Sequence, residues 1–152
     1  MRRLSPLLIA LALAPAASGC GADTKAANDY VEAVNKAQTG FAAKFDRLSS
    51  QITSTSTAAQ DRETLDGFRQ AIDNVVTDFR AVKAPDKVKT LHGRLIAEVS
   101  AYGREIDKAK KAFADDDPQA IVKAQADLVS AVTKVQAQIN ATIADINKKL
   151  RE

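Results

Sequence analysis

From residue 24 onward, apolar side chains recur in steps of three and four, in four blocks separated by turn-forming residues. Such steps line one face of an α-helix, whereas a strand would alternate in twos. The last block is the most regular. Ile121, Gln125, Leu128, Val132, Val135, Ile139, Thr142 and Ile146 form one row, and Val122, Val129, Ile143 and Leu150 run beside it at multiples of seven. A face that wide predicts a helix packed between two neighbours. The second block, Leu65, Phe68, Ile72, Val75, Phe79 and Val82, alternates strictly. The first carries Tyr30, Val31, Val34, Ala37, Phe41, Phe45, Leu48 and Ile52; the third carries Val88, Leu91, Leu95, Val99, Tyr102, Ile106, Ala109 and Phe113.

The boundaries follow from the residues between blocks. Thr24 predicts an N-cap and a first helix over 24–52. Ser54-Thr55-Ser56-Thr57 favours a turn, because these side chains hydrogen-bond locally. Thr57 followed by Gln60 fits a capping box, which starts a second helix running to about Lys83. Ala84-Pro85-Asp86 ends it and opens a third, since proline disfavours helix before itself but suits a first turn. Asp115-Asp116-Asp117-Pro118 repeats that logic, with Asp117 as N-cap of a fourth helix that ends at Lys148, Lys149 and Arg151. No strand signal competes. The predicted fold is all-α, an antiparallel up-down-up-down four-helix bundle. Gly40, Gly67, Gly93 and Gly103 fall inside helices, where each costs about 1 kcal/mol relative to alanine. They predict close helix approach or tolerance at the surface.

The first twenty residues have a different design. Arg2 and Arg3 precede an apolar run, Leu4 to Ala14, broken only by Ser5 and Pro6, and Pro15 to Gly19 are small or helix-breaking. That order is the layout of a secretory signal peptide. The run is too short to cross a bilayer, which needs roughly 20 apolar residues. The single cysteine of the chain, Cys20, follows Ala17-Ser18-Gly19 directly. This ending resembles the lipobox of bacterial lipoproteins. The resemblance implies a diacylglyceryl thioether on Cys20 and cleavage between Gly19 and Cys20. It divides the chain into a leader (1–19), a lipidated tether (20–24) and a bundle (25–152). Two or three acyl chains anchor stably where one alone is marginal. Arg2-Arg3 is followed by Leu-Ser-Pro, which favours the general secretory route over twin-arginine export. Beyond the lipobox, the chain is similar to the small, alanine-rich helical lipoproteins of high-GC bacteria that have no assigned activity. The implied location is the cell membrane or outer membrane, on the exported side.

Charge has to be counted after that cleavage. The whole chain has 22 Lys+Arg against 19 Asp+Glu, a net +3. Loss of Arg2 and Arg3 leaves 20 against 19, or +1. A nucleic-acid binder needs a dense basic patch, so that class is excluded. With Cys20 acylated no disulfide can form, and stability must come from the core.

In an antiparallel bundle both termini lie at one end, and Cys20 would bring that end to the bilayer. Lys148, Lys149 and Arg151 would then meet lipid headgroups, at about 1 kcal/mol each near an anionic surface; their simpler role is to complement the helix dipole. The Ser/Thr loop and the triple aspartate would project from the far end, toward a partner.

Residues with catalytic chemistry are sparse. His92, the only histidine, lies one position off the Leu91/Leu95 stripe and predicts a half-buried boundary residue. A haem needs a second axial ligand, and a di-metal bundle needs paired Glu-x-x-His segments; neither pattern is present. Three adjacent aspartates lack the spaced ligands of a calcium loop. Asn140-Ala141-Thr142 matches a glycosylation pattern, but Thr142 lies on the core stripe. Catalytic residues, metal ligands and cofactors are therefore none. Two readings follow. One is a non-enzymatic envelope lipoprotein, binding or scaffolding an envelope protein. The alternative is a carrier of a small hydrophobic ligand, in a core lined by Phe41, Phe45, Phe68, Phe79 and Phe113.

Overall fold

The computed structural model describes residue 13 and residues 22–51, 57–114 and 118–152. The lipobox, Gly19 and Cys20, Ile52, most of the Ser/Thr loop and the triple aspartate lie outside the described residues, as does the N-cap expected at Asp117. Among the described residues every regular element is a helix: α1 Ala22–Ser49, α2 Ala58–Ala81, a 3₁₀ turn Asp86–Val88, α3 Lys89–Ala114 and α4 Pro118–Arg151.

Local signals explain most of the ends. The Thr57 hydroxyl accepts from the Gln60 N–H, and the Gln60 side chain accepts from the Thr57 N–H at 2.8 Å. This is the predicted capping box, and it satisfies two otherwise free donors. At the end of α1, the Ser50 hydroxyl donates to the Arg47 carbonyl at 2.7 Å, taking up one of the carbonyls that a helix end leaves free. Thr24 does not cap α1; it lies within the first turns of that helix. Ahead of α3, Pro85 opens a single 3₁₀ turn before the α-helix proper. Proline's fixed φ suits that tight start.

Packing runs α1 on α2, α2 on α3, and α3 on α4, with the 3₁₀ turn against both α3 and α4. Contacts between successive helices match early residues of one with late residues of the next. Phe45 of α1 packs on Phe68 of α2, with ring centroids 4.8 Å apart. Arg69 of α2 bonds Asp107 of α3 at 3.0 Å. Thr142 of α4 donates to Glu98 of α3 at 2.9 Å, and Arg94 lies 3.7 Å from Asp145. Thr142 is buried, as its place on the stripe predicts.

The fourth helix departs from expectation. Ile143 and Leu150 of its second row are buried at 4%, but Val122 and Val129 are 65% and 46% exposed. The reason is a missing neighbour. No contact comparable to the α3–α4 pairing joins α1 to α4, so the amino-terminal half of α4 is covered on one side only. Periodicity specified an apolar row without specifying what would cover it.

Two of the four helical glycines lie at close approaches to neighbouring side chains. A Cβ at Gly67 would meet the Leu48 side chain at 2.6 Å, and one at Gly103 would meet the Arg69 guanidinium at 3.1 Å. That guanidinium is held by Asp73 and Asp107. At Gly40 and Gly93 a Cβ would meet nothing within 4 Å. Gly40→Ala and Gly93→Ala should each stabilise the protein by about 0.5–1 kcal/mol in denaturant unfolding. Gly103→Ala should gain nothing or destabilise, because the bridged Arg69 must move.

Candidate functional site

The end of the molecule formed by the α2–α3 turn and the carboxyl end of α4 gathers several cations over buried apolar residues. Lys148, Lys149 and Arg151 are exposed in the last turn of α4, and the neighbouring Ile146 and Leu150 are buried. Helical spacing alone produces this split, turning the apolar pair inward and the cations outward. The turn brings Lys87 to the same place. Its ammonium donates to the Leu150 carbonyl at 3.2 Å, stabilising the negative end of the helix dipole. Lys83 and Lys89 flank it, exposed. Lys149 pairs with Glu152 at 2.6 Å. That hydrogen bond holds the Glu152 carboxyl below its usual value, with Lys148 and Lys87 adding smaller pulls. Of the three cations singled out in the sequence, Lys149 is thus engaged locally, whereas Lys148 and Arg151 face solvent. Lys87 had no signal in the sequence, because the contact joins positions 63 apart.

Beneath this surface lies the only histidine. His92 is not half-buried; it is 6% exposed. The inward row runs from Val88 of the 3₁₀ turn to His92, Leu95 and Val99 of α3, and Leu91 takes the half-buried flank. The correction has a physical cause, since the ring is fully satisfied. His92 Nε2 lies 2.9 Å from the Phe79 carbonyl, and Nδ1 lies 3.1 Å from the Tyr30 hydroxyl. A carbonyl only accepts, so Nε2 donates to Phe79, and in the neutral ring Nδ1 accepts from the Tyr30 hydroxyl. The Phe79 carbonyl also accepts from the Val82 N–H at 3.0 Å, so the same oxygen caps α2 and fixes α3. Tyr30 and His92 meet edge to face at 5.4 Å. One imidazole therefore ties α1, α2 and α3 together. Its ring nitrogens are both committed, which leaves no lone pair for a metal or a substrate.

The phenylalanines do not gather around a common space. Phe45 packs on Phe41, Phe68 and Tyr102, whereas Phe79 belongs to the His92 cluster. Phe113's side chain lies outside the described residues. Two surface depressions are open to solvent, one along α1 and one between α1 and α2, and none of the phenylalanines lines either. Among the described residues no group of His, Cys, Asp or Glu could hold a metal ion, and no helix is long and apolar enough to cross a membrane. The chain matches no protein-family model, and no curated protein or solved structure matches it.

Removing the Tyr30 hydroxyl strands a buried acceptor. Tyr30→Phe should cost about 1–3 kcal/mol in denaturant unfolding. Burial also pushes Tyr30 from 10.0 up to about 12, and Tyr102 further in the same direction. A raised folded-state value means that the unfolded chain releases these protons first. The stability they contribute is intact below about pH 10 and is lost as pH climbs toward about 12. In an alkaline titration, tyrosinate absorbance should stay absent until helical ellipticity falls, then rise with it. A tyrosinate signal from the folded protein near pH 10 would contradict the burial.

Proposed function

We propose that the protein is an envelope lipoprotein, held to a membrane by lipid on Cys20 after cleavage at Gly19–Cys20. On this reading it is a non-enzymatic module that binds or scaffolds an envelope partner. The observation that carries the proposal is the sequence Ala17-Ser18-Gly19-Cys20 after a short apolar run. The helices lend it support. α1 begins at Ala22, so the lipid would sit within a few residues of the rod. The opposed pairing of residues across α1–α2, α2–α3 and α3–α4 supports an antiparallel up-down-up-down bundle. Both ends of the mature chain then share one end with the α2–α3 turn, and Lys83, Lys87, Lys89, Lys148 and Arg151 face the headgroups. The commitment of both His92 nitrogens to internal hydrogen bonds supports contact rather than catalysis. The mutual packing of Phe41, Phe45 and Phe68 supports plain core over a ligand cavity.

Intact-mass measurement of the exported protein tests the anchor. The expected mass lacks residues 1–19 and gains a diacylglyceryl group, and Cys20→Ala should abolish both changes. An unmodified thiol at position 20 would refute the anchor. The facing of the basic end is tested separately. Triple alanine substitution at 148, 149 and 151 should weaken binding of the delipidated domain to anionic vesicles at low salt, by up to about 1 kcal/mol per cation removed. Unchanged binding would leave those cations with their dipole role alone.

A further inference from the structure

Leu13 belongs to the apolar run that processing would remove, yet it is seated in the core. Its side chain is 2% exposed and joins the apolar cluster of the bundle, as does Val31 of α1. Its main chain is held by one residue. The Leu13 N–H donates to Asn35 Oδ1 at 3.0 Å, and the Leu13 carbonyl accepts from Asn35 Nδ2 at 3.1 Å. Leu13 is in no regular secondary structure, so these two bonds take the place of the ladder or helix bonds it lacks. Asn35 lies on an open depression along α1 that Asn28, Val31, Glu32 and Thr39 also line. Gln38 follows three residues later, on the same side of the helix, and its Oε1 is buried without a hydrogen-bond partner.

The chemistry of this seat is specific in one respect and permissive in another. A side-chain amide offers one donor group and one acceptor, which match the C=O and N–H that every non-proline residue presents. The clamp therefore reads main chain and is blind to sequence. The space filled by the Leu13 side chain reads size and apolarity. We propose that in the processed protein this seat captures a non-helical apolar peptide segment of a partner protein. Asn35 would clamp one residue of that segment, whose leucine-sized side chain takes the place of Leu13. The inference rests on the cleavage reading above, since removal of residues 1–19 is what vacates the seat. Once vacated, α1 presents the space that Leu13 filled in the apolar cluster, beside the unpaired amide of Asn35. A fatty acyl chain would fill the hollow and its carbonyl or carboxylate oxygen could accept from Asn35 Nδ2, but it has no N–H to donate to Oδ1. A peptide satisfies both, as Leu13 itself demonstrates.

The test uses the processed protein purified in detergent and a fluorescent peptide of residues 9–17 with a solubilising lysine tail. Fluorescence anisotropy should show saturable binding. Asn35→Ala should weaken it about tenfold, the equivalent of two net hydrogen bonds. Methylation of the peptide's Leu13 nitrogen, which removes the donor to Asn35, should weaken it in the same sense, and Leu13→Asp in the peptide should abolish it. Thr133→Ala, exposed on α4, should leave it unchanged. The full-length Cys20→Ala protein keeps its own Leu13 in the seat and should bind weakly until Leu13→Asp is added. Absent binding, or binding indifferent to Asn35 and to N-methylation, overturns the proposal. So does binding of a fluorescent fatty acid in place of the peptide. Mass analysis of the same sample separates this from failure of the cleavage reading. If residues 1–19 are retained in the wild type, that reading falls, and the seat is judged on the full-length Leu13→Asp protein, which must bind the peptide where the wild type does not.

Discussion

Three of the four helices meet on one buried imidazole. His92 donates to the carbonyl that ends α2 and accepts from the phenol of α1. A buried polar ring is costly unless both nitrogens are paired. Here the pairing also fixes geometry, because only one register of α1 and α2 brings Tyr30 and Phe79 to the same ring. Among the described residues, Val34, Val88, Leu95 and Ile146 are 0% exposed. The apolar contacts supply most of the free energy, and the hydrogen bonds select one arrangement among many that could bury similar area.

Packing loosens away from this point. On α1, Tyr30 and Val34 are fully buried, whereas Phe41, Phe45 and Leu48 are half-buried. On α4, Val135, Ile139, Ile143 and Ile146 are buried, whereas Ile121, Leu128 and Val132 are half-buried and Val122 and Val129 exposed. The helix is 34 residues long, about 51 Å at 1.5 Å per residue, and its amino-terminal half is covered only by α3. The proposed anchor is next to the rigid end. A rod held at its firm end and adaptable along the other suits a protein whose work is contact, since partner-binding segments come from the less stable parts of a fold.

The helices were legible in the sequence because period and punctuation agreed. The Thr57–Gln60 box and Pro118 mark starts that the structure keeps, and the stripe of α2 is buried almost residue for residue. What was not legible depended on neighbours. His92 stands one step from an apolar stripe, and nothing local shows that Tyr30, 62 positions earlier, will supply its second hydrogen bond. Val122 and Val129 share a period with Ile143 and Leu150, but a period cannot show that no neighbouring helix will cover them. Asn35 reads as an ordinary polar residue beside Val34 until Leu13 is seen against its amide. Lys87 likewise reads as a surface charge, although it caps α4 from another helix's turn.

The central claim is that the molecule is locked at the His92 end and loosely covered toward the other. Native-state hydrogen exchange across α4 reads this directly, because one helix samples both regimes. Amides of residues 139–150 should exchange only through global unfolding, with protection matching that of α3 around Leu95. Amides of residues 121–132 should exchange through smaller openings, at least about tenfold faster, the equivalent of 1.4 kcal/mol. Uniform protection along the whole of α4 would mean that its apolar flank is covered after all, and the graded core described here would be wrong.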